Sequence, residues 1–126
     1  MRLQVSIEFL SFLLFSSLIF LASIPLLLKT KEYLKNSYDY YYLNNVGLKL
    51  SQFFSSYCDS QGEINVYLLN STAISISNKS LYITHNKIEQ SFPSYCDLNF
   101  SFFSDSSSNY SFKIKFGEVV ISKAKY

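Results

Sequence analysis

The chain has 126 residues, of which 48% are hydrophobic, 18% aromatic and only 16% charged. Eleven Lys and Arg against nine Asp and Glu leave a net charge of +2, so no basic surface points to nucleic acid. Three Gly and two Pro argue against a collagen-like or Gly/Pro-rich disordered chain, and a single His leaves little material for an enzyme.

The apolar residues are unevenly spread. No charge occurs from Phe9 to Leu28. A helix over that run would be about 30 Å long, matching the core of a bilayer. Ser11, Ser16, Ser17 and Ser23 do not spoil it, because a helical Ser can bond a carbonyl one turn earlier. Lys29, Lys31 and Lys35 follow and suit the headgroup layer. Three readings compete. An ordinary cleaved signal peptide fits poorly, since the run is long and ends in Pro25-Leu26-Leu27-Leu28-Lys29 rather than in small residues. An uncleaved single span is the second. The third is an anchor whose short leader is clipped ahead of the run. Glu8 bears on the choice. It either sits at the interface in a first helical turn, where the dipole favours it, or meets a positive group on a neighbouring helix.

The spacing of these features resembles the N-terminus of type IV pilins. If Met1-Arg2-Leu3 is a leader and Gln4 the mature start, Glu8 becomes the fifth residue and Pro25 the twenty-second. The pattern Gln4-x-Ser6-x-Glu8-Phe9 is similar to the archaeal class III signal peptides of pilin-like proteins, although Leu3 stands where Gly or Ala is usual. The resemblance covers roughly residues 1–30. It implies cleavage between Leu3 and Gln4 by a prepilin peptidase, a stay in the membrane, and then packing of the apolar helix against copies of itself or other pilins. It also implies that Glu8 meets the new amine of an adjacent subunit, and that Pro25 belongs to the assembly helix.

Residues 29–57 continue as helix. Leu43, Val46, Leu50, Phe53 and Tyr57 recur at steps of three and four and form one apolar stripe. Pro25 should kink this helix, and Gly47 is a weak point worth about 1 kcal/mol against Ala. The nearby lysines set up a topological conflict. Arg2 precedes the span while Lys29, Lys31 and Lys35 follow it, a bias that alone would put the C-terminal side in the cytoplasm. The cysteines, the glycosylation sequons and the pilin resemblance place that side outside.

After Cys58 the pattern becomes strand-like. Gly62–Leu69, Thr72–Ser77, Leu81–Thr84, Leu98–Ser104, Tyr110–Phe116 and Glu118–Ser122 alternate or are β-prone. Asn70-Ser71, Asn78-Lys79, His85-Asn86 and Asp105–Asn109 read as turns. The expected fold is therefore α+β. A long N-terminal helix, apolar first and amphipathic later, packs on a small antiparallel sheet. The divisions are 1–3 leader, 4–28 membrane or filament-core helix, 29–57 amphipathic continuation, and 58–126 a β-rich head outside the cytoplasm.

A head this small is marginal alone. Cys58 and Cys96 sit in identical Ser-Tyr-Cys-Asp tetrapeptides. Behind an export signal a disulfide is expected, closing a loop of about 39 residues and stabilising by up to about 4 kcal/mol. Two buried free thiols are the alternative. Sequons occur at Asn70, Asn78, Asn99 and Asn109, an excess that Ser-rich composition partly explains. Asn99 is the weakest because it falls inside an expected strand. The run Tyr38-Asp39-Tyr40-Tyr41-Tyr42 reads either as an adhesive surface or as packed rings with wet hydroxyls. His85 is far in sequence from the cysteines, so no metal site is expected. Asp59 and Asp97 would approach each other across the bridge, but two carboxylates are too few for a calcium cage. No phosphate loop or nucleophile elbow appears.

The sequence thus points to a structural subunit, major or minor, of a type IV pilus-like filament, with no cofactor and no catalysis. The alternative is a single-span surface binding module that never polymerises.

Overall fold

A computed structural model describes the backbone of residues 2–125 and the side chains of residues 4–125. Met1 and the side chains of Arg2 and Leu3, which carry the leader expected from sequence, lie outside the described residues. The described residues form one α-helix and seven strands. It divides into two units, Met1–Ser37 and Tyr38–Tyr126.

Helix α1 is Arg2–Tyr57 and contains Pro25. Within the first unit it carries the apolar run. Within the second unit its residues from Tyr38 onward form one wall of a core. The expected stripe is there: Leu43, Val46, Leu50 and Phe53 are buried, while Tyr57 is 41% exposed. Asp39, Tyr42, Ser51 and Phe54 are buried on the same side. The i, i+3, i+4 spacing makes this one face, wider than the apolar residues alone would show.

The strands form two antiparallel sheets. β1 (Gln61–Leu68), β6 (Ser108–Lys115) and β7 (Glu118–Lys123) make a three-stranded sheet in the order β1-β6-β7. β2 (Ala73–Ser77), β3 (Ser80–His85), β4 (Ile88–Pro93) and β5 (Phe100–Phe103) make a four-stranded sheet in the order β4-β3-β2-β5. The α+β arrangement expected from sequence is present, with the strands divided between two sheets. β4 is an additional strand, and β5 begins at Phe100, so Asn99 precedes the strand rather than lying in it.

Three hairpins are tight. Ser77 pairs with Ser80, His85 with Ile88 and Lys115 with Glu118. Each leaves a two-residue loop with positive φ at both positions: Asn78 (48°) and Lys79 (59°), Asn86 (48°) and Lys87 (66°), Phe116 (50°) and Gly117 (82°). Such loops twist in the same sense as the strands they join, and Asn and Gly tolerate the left-handed region best.

The inward residues of both sheets meet the helix. Val66, Leu68, Phe112 and Ile114 come from one sheet, and Ile74, Ile76, Leu81, Ile83 and Phe92 from the other. The Phe54 ring lies 5.4 Å from Phe100 and 6.4 Å from Phe112, so one helical side chain touches both sheets. Burying a side chain of this size stabilises by about 1.5–3 kcal/mol.

Candidate assembly helix and head

The first unit is a helical surface of unusual composition. Phe9, Leu10, Phe12, Leu13, Leu14, Phe15, Leu18, Ile19, Phe20 and Leu21 are all between 48% and 70% exposed. The helix is long and apolar enough to cross a membrane, with a mean hydropathy of 2.3 over its most apolar window. Ser16, Ser17 and Ser23 behave as expected. Ser16 Oγ donates to the Leu13 carbonyl at 3.0 Å, Ser17 Oγ to Leu14 at 2.8 Å and Ser23 Oγ to Phe20 at 2.7 Å. Thr30 Oγ1 donates to the Leu26 carbonyl at 2.9 Å. These hydroxyls are therefore satisfied without water, which an apolar surrounding requires. Gln4 and Glu8 are exposed on this helix, and the helix continues through Pro25.

The second unit is closed covalently where α1 ends. A disulfide joins Cys58, just beyond the last helical residue, to Cys96 in the segment between β4 and β5. The two Cα atoms are 5.6 Å apart, and the sequence separation is 38. Cys96 is 2% exposed. Beside the bridge lies an open groove of about 290 Å³ whose lining includes Asp59, Asp97, Lys79 and the exposed Tyr95. The bridge brings the two aspartates to one groove, as the repeated tetrapeptides suggest. Among the described residues no group of three His, Cys, Asp or Glu is placed to hold a metal ion.

The sequons occupy different settings. Asn70 and Asn99 are exposed outside the strands, and Asn78 is exposed on the β2–β3 turn. Asn109 lies within β6, is half-buried, and faces Tyr67 of β1 in the register. The tyrosine run is split. Tyr38, Tyr40 and Tyr41 are between 52% and 70% exposed, whereas Tyr42 is buried and bonded.

Sequence reasoning missed a buried polar cluster at this place. His85, expected in a turn, ends β3 and is 6% exposed. Its Nε2 lies 3.8 Å from Asp39 Oδ1, and its Nδ1 lies 3.2 Å from Thr72 Oγ1. Thr72 Oγ1 is 3.1 Å from the Tyr42 hydroxyl and donates to the Leu69 carbonyl at 2.8 Å. The Leu69 N–H donates to the Tyr42 oxygen at 2.8 Å, and Asn86 Nδ2 donates to Asp39 Oδ2 at 3.1 Å. Burial raises the Tyr42 phenol above its ordinary value of 10.0, against the opposing effect of its hydrogen bonds with Thr72 and Leu69. The available signal was Asp39 and Tyr42 standing three apart on the face of the apolar stripe.

A second cluster is exposed. Lys123 Nζ lies 3.0 Å from Asp105 Oδ1, to which the Tyr110 hydroxyl donates at 2.9 Å. The Lys123 ammonium, then Tyr110, lowers the Asp105 carboxyl from 3.8 to about 2, and Asp105 in turn raises Lys123.

Comparison with protein-family models, curated proteins and solved structures returns no match.

Proposed function

We propose that the chain is a structural subunit, a major or minor pilin, of an archaeal type IV pilus-like surface filament. What supports the reading is the helical surface from Phe9 to Leu28, uncharged and exposed along its length, on the same helix that ends in a disulfide-closed β head. Such a surface requires an apolar surrounding. Lipid supplies it first, and sister helices supply it after assembly. In this reading a prepilin peptidase cuts between Leu3 and Gln4, leaving Glu8 near the mature N-terminus and Pro25 within the assembly helix. The head stays outside the cytoplasm, where the Cys58–Cys96 bridge is chemically at home. Asn70, Asn78 and Asn99 are its exposed glycan acceptors, and Asn109 is the least open of the four. Its work is polymerisation and display, without catalysis.

Mass spectrometry of the mature chain, together with the composition of sheared surface filaments, tests the reading. A start at Gln4, free or cyclised, and presence in filaments are expected. A start at Met1 with no filament material favours the alternative, a single-span surface binding module. A start beyond Leu28 removes the assembly helix and overturns both.

A further inference from the structure

Polymerisation leaves the cluster around His85 unused, and its hydrogens can be counted. The Leu69 N–H donates to the Tyr42 oxygen at 2.8 Å, so the Tyr42 hydroxyl is free to donate to Thr72 Oγ1 at 3.1 Å. Thr72 Oγ1 lies 2.8 Å from the Leu69 carbonyl, which can only accept. With its one hydrogen placed there, Thr72 faces His85 Nδ1 at 3.2 Å as an acceptor, so Nδ1 carries a hydrogen. Nε2 faces the Asp39 carboxylate at 3.8 Å. A neutral ring protonated on Nδ1 would turn its lone pair toward that carboxylate. The imidazolium alone satisfies every contact together.

We propose that this buried cluster is a proton-binding site in which a proton on His85 sets the direction of the Thr72 hydroxyl, so that the α1 segment from Tyr38 onward is held more tightly to the strands in acid. When the proton leaves, the remaining ring hydrogen belongs on Nε2 beside Asp39, and Nδ1 becomes an acceptor. Thr72 then donates to Nδ1 and gives up the Leu69 carbonyl, which keeps Ser104 Oγ as donor at 2.6 Å. Two oxygens are left facing each other at 2.8 Å without a hydrogen between them. The Leu69–Thr72 turn is pushed open, and with it the bond that Leu69 N–H makes to Tyr42 on the helix.

No other charge on neighbouring elements replaces His85 in this role among the described residues. From α1 the ring faces Asp39 and Tyr42, whose ring centroid is 5.3 Å away. The segment before β2 presents neutral Thr72, and β4 sets Ile88 opposite His85. Glu89 of β4 is bonded by Thr84, on the opposite face of β3, and Lys87 is exposed at the turn. Tyr38 and Tyr67 stand near Tyr42 as further phenols.

His85 is the only histidine in the chain, so it can be observed directly. The test uses the full chain in detergent micelles, with histidine-selective and backbone 15N labelling, followed from about pH 5 to 8. Expected in acid is a ring with both nitrogens protonated. Expected on its titration is a neutral Nε2–H ring and a fall in Leu69 amide protection of about threefold to tenfold, the worth of one hydrogen bond. Both changes should share a midpoint. In Thr72→Val the ring should still titrate while the Leu69 amide ceases to follow it. His85→Gln should abolish the pH response at Leu69. A neutral ring holding its hydrogen on Nδ1, or a ring that titrates while Leu69 protection stays flat in the wild type, would overturn the proposal. So would a Leu69 response that persists unchanged in His85→Gln.

Discussion

The ring of Phe92 occupies the space that a Cβ on Gly47 would need. A helix-weakening glycine is therefore what lets β4 close on α1. Ala at this position would gain about 1 kcal/mol of helix propensity. Overlap with the ring would cost about 1–3 kcal/mol. Gly47→Ala is expected to lower the unfolding midpoint of the chain in detergent, and pairing it with Phe92→Leu should recover part of the loss. Equal or greater stability of the single variant would contradict this packing.

Replacing Cys58 and Cys96 together by Ser removes the cross-link across a separation of 38 residues. The chain-entropy model assigns such a loop about 4 kcal/mol. Chemical denaturation of the oxidised wild type and the double variant should differ by about 2–4 kcal/mol, with the head the first part to lose amide protection. A difference near zero would mean that the core suffices alone.

The Asp105–Lys123 pair gives the acid limb of stability a defined sign. The folded Asp105 carboxyl titrates at about 2, below its ordinary 3.8. Its contribution is present above the ordinary value and is lost as the pH falls from about 4 toward 2. Wild type and Asp105→Asn should therefore differ in midpoint at pH 5 and converge near pH 2. The effect is small because both groups are exposed. At the alkaline end the raised Lys123 contributes below its ordinary value of 10.5 and loses that contribution as the pH rises through the folded value. A gap that widens in acid would reverse the assignment.

In the proposed filament, Glu8 separates insertion from assembly. Glu8→Gln keeps the shape of the side chain and removes the charge, so the fraction reaching the membrane should stay the same. Incorporation into sheared filaments should fall by about tenfold or more, on the order expected for losing a charge pair in an apolar setting. Unchanged incorporation would count against an ionic role for Glu8.

Some of this fold was open to reading in the sequence and some was not. The helix was legible because a charge-free run is followed by a stripe at steps of three and four. β1, β2, β3, β5, β6 and β7 were legible from alternation and from Asn at turns. β4 was not, since Ile88–Pro93 is an edge strand in which only Phe92 is buried. Its turn, Asn86-Lys87, was read one residue early, which also misplaced His85. The division into two sheets depends on pairing between distant segments, β1 with β6 and β2 with β5, which no local pattern encodes. The polar cluster was hidden for the same reason. Asp39 and His85 are buried together by tertiary structure, and although Asp39 shares the stripe's face with Tyr42, no local pattern pairs it with His85.

The position of the disulfide has a mechanical consequence. Tyr57 ends α1, and the backbone runs on through Cys58 into β1 of the three-stranded sheet. Cys96 ties the same point to the segment between β4 and β5 of the four-stranded sheet. Tension arriving along the helix therefore forks at Cys58 into two covalent routes, one for each sheet. Shear that would peel the four-stranded layer away must first draw out the backbone between Cys96 and its neighbouring strands. A pull along α1 would therefore load both sheets through covalent bonds at once.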